Sequence, residues 1–190
     1  MTNDAKTSAR QAFRRARGQH LFRAIWTALN GESNELLKWE EIRRKLRAGT
    51  PIYRGVQSVE VALIQGSVNR YRDFDRAFMP SQAHTRARWW SIGEARYSDV
   101  DLPPVQLYKV GEVYFVMDGN HRVSVARQLG QEFIDAEVYE SRVRVPVRPD
   151  ISPESLDVIS EKLDFVEYTG IDELRPAVDI ELSLRGGYYR

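Results

Sequence analysis

The chain has 190 residues, carries 28 Lys and Arg against 27 Asp and Glu, and contains no cysteine. This length suits one domain with a real hydrophobic core. The absence of cysteine excludes a disulfide framework, a thiol nucleophile and a Cys-ligated zinc or iron–sulfur site. No run approaches the ~18 apolar residues of a membrane-spanning helix, and the N-terminus lacks an apolar signal core. We therefore expect a soluble, cytoplasmic protein without a membrane partner.

The near-zero net charge of +1 hides a gradient along the chain. Residues 1–50 carry eleven Lys or Arg and five Asp or Glu, whereas residues 151–190 carry four and nine. A basic front is typical of a protein with an anionic partner at that end. A basic front and an acidic back are equally typical of two faces that attract each other within the fold.

Residues 1–50, which form the basic front, are predicted to be a helical hairpin. Apolar residues at helical spacing predict one helix over 5–29 and a second over 35–48, capped by Ser33 or Asn34. Arginine patches of this kind bind DNA phosphates, and the residues predicted to do so are Arg10, Arg14, Arg17, Arg43, Arg44 and Arg47. A solvated helix surface, or docking against the acidic C-terminal part, is an interpretation at least as good.

Strand and helix patterns alternate after residue 50, which predicts an α+β domain with a small mixed sheet. The predicted elements are a strand over 58–65, a polar loop over 67–75, a helix over 82–96 with Trp89 and Ile92 inward, strands over 105–109 and 113–117, a helix over 121–129 and a strand over 133–139. An acidic helix–strand extension over 141–190 follows, with a further strand over 143–147, a helix capped by Ser152 and a last strand over 177–184.

The densest functional signal is a strand that runs through Asp118-Gly119-Asn120-His121-Arg122 into a helix. A helix start offers N–H donors and a positive dipole end to an anion, and Gly119 lets the backbone approach a ligand closely. Arg122 would grip a phosphate through its planar fork, and His121 would donate a proton or a hydrogen bond. Asp118 is suited to one of three roles: an anchor for Arg122, a ligand to a hydrated metal ion, or a base toward a hydroxyl group.

A purely structural interpretation of this segment needs no ligand. Asp118 and Asn120 are then turn and capping residues, and His121 is a surface group. However, two adjacent cations at a helix start oppose the helix dipole unless an anion is present. The pair His121 and Arg122 therefore favours a phosphate site.

This segment resembles the phosphate loop of the ParB/sulfiredoxin superfamily, which includes CTP-binding ParB partition proteins, ATP-dependent sulfiredoxins and free-serine kinases that use ADP. In these proteins a Gly-x-x-Arg or Gly-x-His-Arg element at a helix start holds the phosphates. Gly119, Asn120, His121 and Arg122 match the second form, and Asp118 extends the match toward the kinase form, Asp-Gly-His-His-Arg. The resemblance spans residues 58–140.

The resemblance implies a domain over 58–140 that binds a nucleotide (ATP, ADP or CTP) with Mg²⁺. Asp118 and His121 would be its catalytic residues and Asp118 its metal ligand; whether phosphate is transferred or hydrolysed stays open. Asn120 occupies the position of the sulfiredoxin cysteine, which excludes sulfinic acid reduction. The ParB form has Glu-Arg-Arg after its glycine, and this chain differs at two of those three positions.

A second polar cluster follows the strand over 58–65, where the superfamily often gathers phosphate contacts. Ser67, Arg70 and Arg72 would assist there, with both arginines on the same side of an extended loop. Surface pairing of Arg70 with Asp73 and of Arg72 with Asp75 is an equal alternative. A further polar run, which we interpret as a solvated helix face, comprises His84, Thr85, Arg86 and Arg88.

The alternative function is a DNA-associated regulator in which the basic helices hold the phosphate backbone and any nucleotide acts as a switch. The sequence has no recognisable helix-turn-helix downstream, which counts against a complete ParB-type partition protein. A weaker alternative is an interaction module of the toxin–antitoxin kind. Whether the chain forms a homodimer stays open.

Overall fold

The computed structural model describes residues 35–81, 86–97, 101–175, 180–182 and 185–189, together with Thr7, Gln11, Arg14 and Ala177. The strands are β1 (Leu37–Lys38), β2 (Ile52–Glu60), β3 (Ile64–Ser67), β4 (Val105–Val110), β5 (Val113–Asp118) and β6 (Phe133–Ser141). The α-helices are α1 (Trp39–Lys45), α2 (Arg86–Tyr97), α3 (Asn120–Gln128), α4 (Pro153–Thr169) and α5 (Ile171–Leu174), and single 3₁₀ turns lie at Val61–Leu63 and Gly187–Tyr189.

The six strands form one mixed sheet in the order β1-β3-β5-β4-β6-β2, which confirms the predicted α+β class. The parallel pairs are β1 with β3, β3 with β5, and β4 with β6, whereas β4–β5 and β2–β6 are antiparallel. Because β3 and β5 run in parallel, with Ser67 opposite Val116, the chain leaves both strands at the same edge of the sheet. That edge is where the two predicted phosphate-binding segments begin.

Both faces of the sheet are covered at its centre. Val113 to Val116 of β5 are all buried, as expected for a continuous apolar run in a central strand. On one face Val116 packs with Phe74, Phe78 and Val123. On the other face Phe115 packs with apolar residues of α1 and α4. Helix α3 therefore lies on one side of β5, and helices α1 and α4 lie on the other.

The front of the chain differs from the prediction. Helix α1 begins at Trp39 because Leu37 and Lys38 pair with β3 as a short strand. Lys38 is the N-cap residue and makes no side-chain cap, so the predicted cap at Ser33 or Asn34 is wrong. The inward positions of the predicted helix, Trp39, Ile42 and Leu46, are buried. Thr7, Gln11 and Arg14 are helical, and the rest of the predicted helix over 5–29 lies outside the described residues.

Three predicted strands also differ. The strand over 58–65 is two strands, because the 3₁₀ turn Val61–Leu63 transfers the chain from β6 as partner to β5. Residues 143–147 form no strand; Val147 instead accepts a backbone hydrogen bond from Glu112 and packs in the core. The described residues within 177–184 contain no strand. Helix α4 begins as predicted, with a Ser152 capping box and a proline in its first turn.

Candidate functional site

The predicted phosphate loop forms a sharp turn between β5 and α3. Gly119 makes this turn with φ 102°, and it is the N-cap residue of α3. A Cβ atom at this position would lie 2.6 Å from Cγ1 of Val105. Glycine is therefore required both by its backbone conformation and by the close approach of β4. No side chain caps the start of α3, so its first-turn N–H groups point toward the sheet edge as donors.

A cleft of about 370 Å³ opens in front of this turn, and we call it the α3 cleft. It brings the predicted phosphate loop together with Arg70 of the second predicted cluster. It also contains two residues of α2. The described residues that line it are Asn69, Arg70, Arg88, Ile92, Met117, Asp118, Gly119, Asn120, His121 and Arg122.

Asn120 is the first residue of α3, and it is only 6% exposed. Its Oδ1 atom is buried and accepts no hydrogen bond from the described residues. An unsatisfied buried acceptor costs about 1–3 kcal/mol, so its presence in the wall of a cleft calls for an explanation. A ligand that brings a donor or a cation to this oxygen would supply one.

Arg122 is held firmly by the protein around it. Its Nη1 donates to the carbonyl oxygen of Pro104 at 2.8 Å and also to that of Pro103, and its Nη2 donates to Asp118. Asp118 therefore anchors Arg122, one of the three roles predicted for it. This arrangement leaves the Nε–H group and one Nη2 proton of Arg122 for a ligand.

His121 is not a surface group, so that part of the structural interpretation is wrong. It is 6% exposed, and its ring meets the ring of Phe74 edge-on at a centroid distance of 5.2 Å. The side chain lines the α3 cleft from a largely buried position. Its orientation is set by the aromatic core beneath the loop that follows β3.

The second predicted cluster divides into three different environments. Arg70 lines the α3 cleft and pairs with Asp73 at 2.9 Å, as the surface alternative predicts. Residues 70–73 form a turn, in which the Asp73 N–H donates to the Arg70 carbonyl, so the extended loop is wrong. Arg72 is not among the residues that line the cleft; its guanidinium lies 5.9 Å from the centroid of the Tyr71 ring.

The two remaining members of this region have structural roles. Ser67 is fully buried; its hydroxyl donates to the Val116 carbonyl at 3.3 Å and accepts from the Arg70 N–H at 3.4 Å. Asp75, the predicted partner of Arg72, is 3% exposed and accepts from the N–H groups of Ala77 and Met79. Both side chains shape the loop that carries Arg70.

Arg88 is exposed, as the solvated-face interpretation predicts, and it also lines the α3 cleft. It lies on α2, next to Trp89, which is fully buried and donates from Nε1 to the hydroxyl of Ser124 on α3 at 3.0 Å. Ile92, four residues further along α2, lines the same cleft. Arg88 and Ile92 are four residues apart and therefore share a helix face, and Trp89, which follows Arg88, is predicted to be buried. This spacing is the sequence signal that places Arg88 beside the cleft.

The charges of the α3 cleft favour an anion. Its described lining contains Arg70, Arg88 and Arg122, and Asp118 is the single carboxylate. No group of three or more His, Cys, Asp or Glu within the described part of the chain could hold a metal ion. Asp118 is 66% exposed, which suits a hydrated Mg²⁺ that shares its remaining ligands with phosphates.

The predicted DNA-binding arginines are placed unequally. Arg47 forms ion pairs with Asp164 and Glu167 of α4, which confirms docking against the acidic extension for this residue. Arg43 lies 3.7 Å from Glu40 at the surface, and Arg44 is exposed. Arg10 and Arg17 lie outside the described residues, so DNA binding stays a prediction.

Comparisons of the chain with protein-family models, with curated proteins and with solved structures found no match. The assignment to the ParB/sulfiredoxin superfamily therefore stays a prediction. Across the part of the chain that the structure describes, no helix is long and apolar enough to cross a membrane.

Proposed function

We propose that the chain binds the phosphates of a nucleoside di- or triphosphate, together with Mg²⁺, in the α3 cleft. The observation that carries this proposal is the buried, unsatisfied Oδ1 of Asn120 at the uncapped start of α3. Asn120 lines a cleft whose described lining has three arginines and one carboxylate. A helix start binds anions readily. Here the arginines of the cleft add positive charge, and Asn120 adds an oxygen that lacks a hydrogen-bond donor.

Each part of the loop has a separate task in binding. The first-turn N–H groups of α3 donate to phosphate oxygens, and Gly119 makes the sharp turn that begins this helix. Arg122 adds its Nε–H from a position fixed by Pro103, Pro104 and Asp118. Because the guanidinium is already held in place, little side-chain entropy is lost when the ligand binds.

Asn120 and Asp118 are suited to the cation that accompanies the phosphates. Hydrated Mg²⁺ binds through one or two carboxylates and the phosphate oxygens; Asp118 would provide the carboxylate. The Asn120 oxygen would accept from a water on the metal or from a ligand hydroxyl. Positioning and charge neutralisation do most of the work of phosphoryl transfer, and transfer or hydrolysis in this cleft, with Asp118 and His121 as catalytic residues, stays a prediction.

Isothermal titration of ATP, ADP, CTP and GTP, each with Mg²⁺, tests the proposal on the wild type and on Asn120→Leu. The Leu side chain keeps the size of Asn120 but removes the Oδ1 acceptor, which the proposal pairs with a metal-bound water or a ligand hydroxyl. Loss of a hydrogen bond of this kind costs about one factor of ten or more, so we expect binding about tenfold weaker. Arg122→Ala is a poorer choice, because it would also release the carbonyls of Pro103 and Pro104.

Arg44→Gln is the matched control, since Arg44 is exposed on the chain outside the cleft. It should bind nucleotide like the wild type. Thermal unfolding of each variant verifies that it is folded. The proposal fails if no nucleotide binds the wild type, or if folded Asn120→Leu binds as tightly as the wild type.

A further inference from the structure

The three arginines of the α3 cleft differ in how their charges are balanced. Arg122 is paired with Asp118 and two backbone carbonyls, and Arg70 is paired with Asp73. The structure shows no ion pair or hydrogen bond between the Arg88 side chain and any described residue. Arg88, which is exposed, is therefore the cation of the cleft lining that no described residue pairs with.

Arg88 is also carried by a well-anchored element. Trp89 is fully buried, and it joins α2 to α3 through its hydrogen bond to Ser124 and its packing with Val125. This anchor fixes which face of α2 is turned to the cleft, and Ile92 lines the cleft on that same face. The backbone of Arg88 is thereby held at a wall separate from the start of α3.

The cleft is larger than a single phosphoryl group requires. A water molecule in the liquid takes up about 30 Å³, so a volume of about 370 Å³ has room for a small-molecule ligand. One anionic group at the start of α3 would use the helix N–H groups and the Nε–H of Arg122. The guanidinium of Arg88, on a different helix, would be left over, and it suits an additional anionic group.

We infer that the α3 cleft has two anion subsites, one at the start of α3 and one at Arg88, and that its ligand carries a diphosphate unit. This inference rests on the proposed function and adds to it the residue that distinguishes a diphosphate from a monophosphate. Arg88 binds the second phosphoryl group, so a monophosphate gains little from it.

Calorimetry with inorganic phosphate and with pyrophosphate, at one fixed ionic strength, tests this inference without reference to any base. Wild type should bind pyrophosphate at least about tenfold more tightly than phosphate, since a hydrogen-bonded charged group contributes about one factor of ten or more. Arg88→Gln should weaken pyrophosphate binding by about the same factor and leave phosphate binding unchanged. Arg88→Lys keeps the charge without the planar fork and should restore part of the preference.

Arg44→Gln again serves as the matched control, because it removes the same charge from an exposed position outside the cleft. The inference is overturned if Arg88→Gln weakens both anions equally, if it changes neither, or if wild type does not bind pyrophosphate. If wild type binds nucleotides but shows one of these results, the proposed function stands and the second subsite is wrong. If neither pyrophosphate nor any nucleotide binds, both are wrong.

Discussion

The last turn of α1 and the α3 cleft are both rich in basic residues, and the fold treats them differently. Lys45, in the last turn of α1, lies 2.6 Å from Asp157, and Arg47, two residues beyond the helix, pairs with Asp164 and Glu167, all on α4. In the cleft, Arg88 has no such partner among the described residues. The density of positive charge along the sequence is therefore a weaker guide to a binding site than the charge that remains after the chain has folded.

This difference also explains part of the charge gradient. The acidic residues of α4 lie against basic residues of α1, as the intramolecular interpretation of the gradient predicts. Partial burial lowers the pKa of Lys45, but its hydrogen bonds to Asp157 and Glu41 outweigh this effect and raise it above its ordinary value. Of the arginines predicted to bind DNA, Arg47 is thus paired within the fold.

The largest effect is expected at the loop that makes the cleft. Gly119→Ala would place Cβ 2.6 Å from Cγ1 of Val105, at a φ of 102°. Overpacking of this kind costs about 1–3 kcal/mol of the free energy of unfolding, and we expect nucleotide affinity to fall with it. Urea denaturation measures the first quantity and calorimetry the second.

Gly130→Ala is the control for backbone strain alone. Gly130 also has a positive φ, of 68°, but a Cβ there would meet no atom within 4 Å. Its cost should be limited to about 1–2 kcal/mol of left-handed strain, with nucleotide affinity unchanged. Equal losses of affinity in the two variants would contradict a special role for the turn at Gly119.

The smaller effect is expected at the junction of α1 and α4. The hydrogen bond from Lys45 holds the pKa of Asp157 below its usual value, although burial opposes this shift. A depressed carboxyl pKa adds stability above its unfolded value, and this stability is lost as the pH falls through the folded value. Asp157→Asn should therefore cost about 1 kcal/mol or less near pH 7, and the difference from wild type should disappear at acidic pH.

Chemical denaturation at pH 7 and at pH 3, in low and high salt, measures how much this ion pair contributes to the free energy of unfolding. High salt should reduce the cost, since partly exposed charges are screened. Nucleotide binding should not change, because the junction and the α3 cleft share no lining residue. A loss of nucleotide affinity in folded Asp157→Asn would break the separation between the two regions.

The parts of the structure that depend on local signals could be predicted from the sequence. The apolar run of β5, the turn at Gly119 and the helix after it follow from neighbouring residues, as does the Ser152 cap of α4. The two-residue strand β1 could not be predicted, because only its pairing with β3 makes it a strand.

The same limit applies to the site, where local features could be predicted and contacts between distant segments could not. The segment from Asp118 to Arg122 was found because its residues are consecutive. Arg88 is exposed, as predicted, but its place in the cleft could not be predicted, because it depends on how Trp89 joins α2 to α3. The three hydrogen-bond partners of Arg122 likewise include Pro103 and Pro104, which the loop before β4 brings to it from a distant part of the sequence.

The central claim is that phosphates bind at the start of α3 and not at the basic turn of α1. It is tested by NMR spectroscopy of ¹⁵N-labelled protein during a titration with Mg²⁺ and the nucleotide that binds most tightly in calorimetry. We expect the backbone amide resonances of Asn120, His121 and Arg122 to shift together with the side-chain Nε–H of Arg88, while the backbone amide resonances of Arg43 and Arg44 stay in place. Shifts concentrated on α1, or none at residues 119–122, would contradict it.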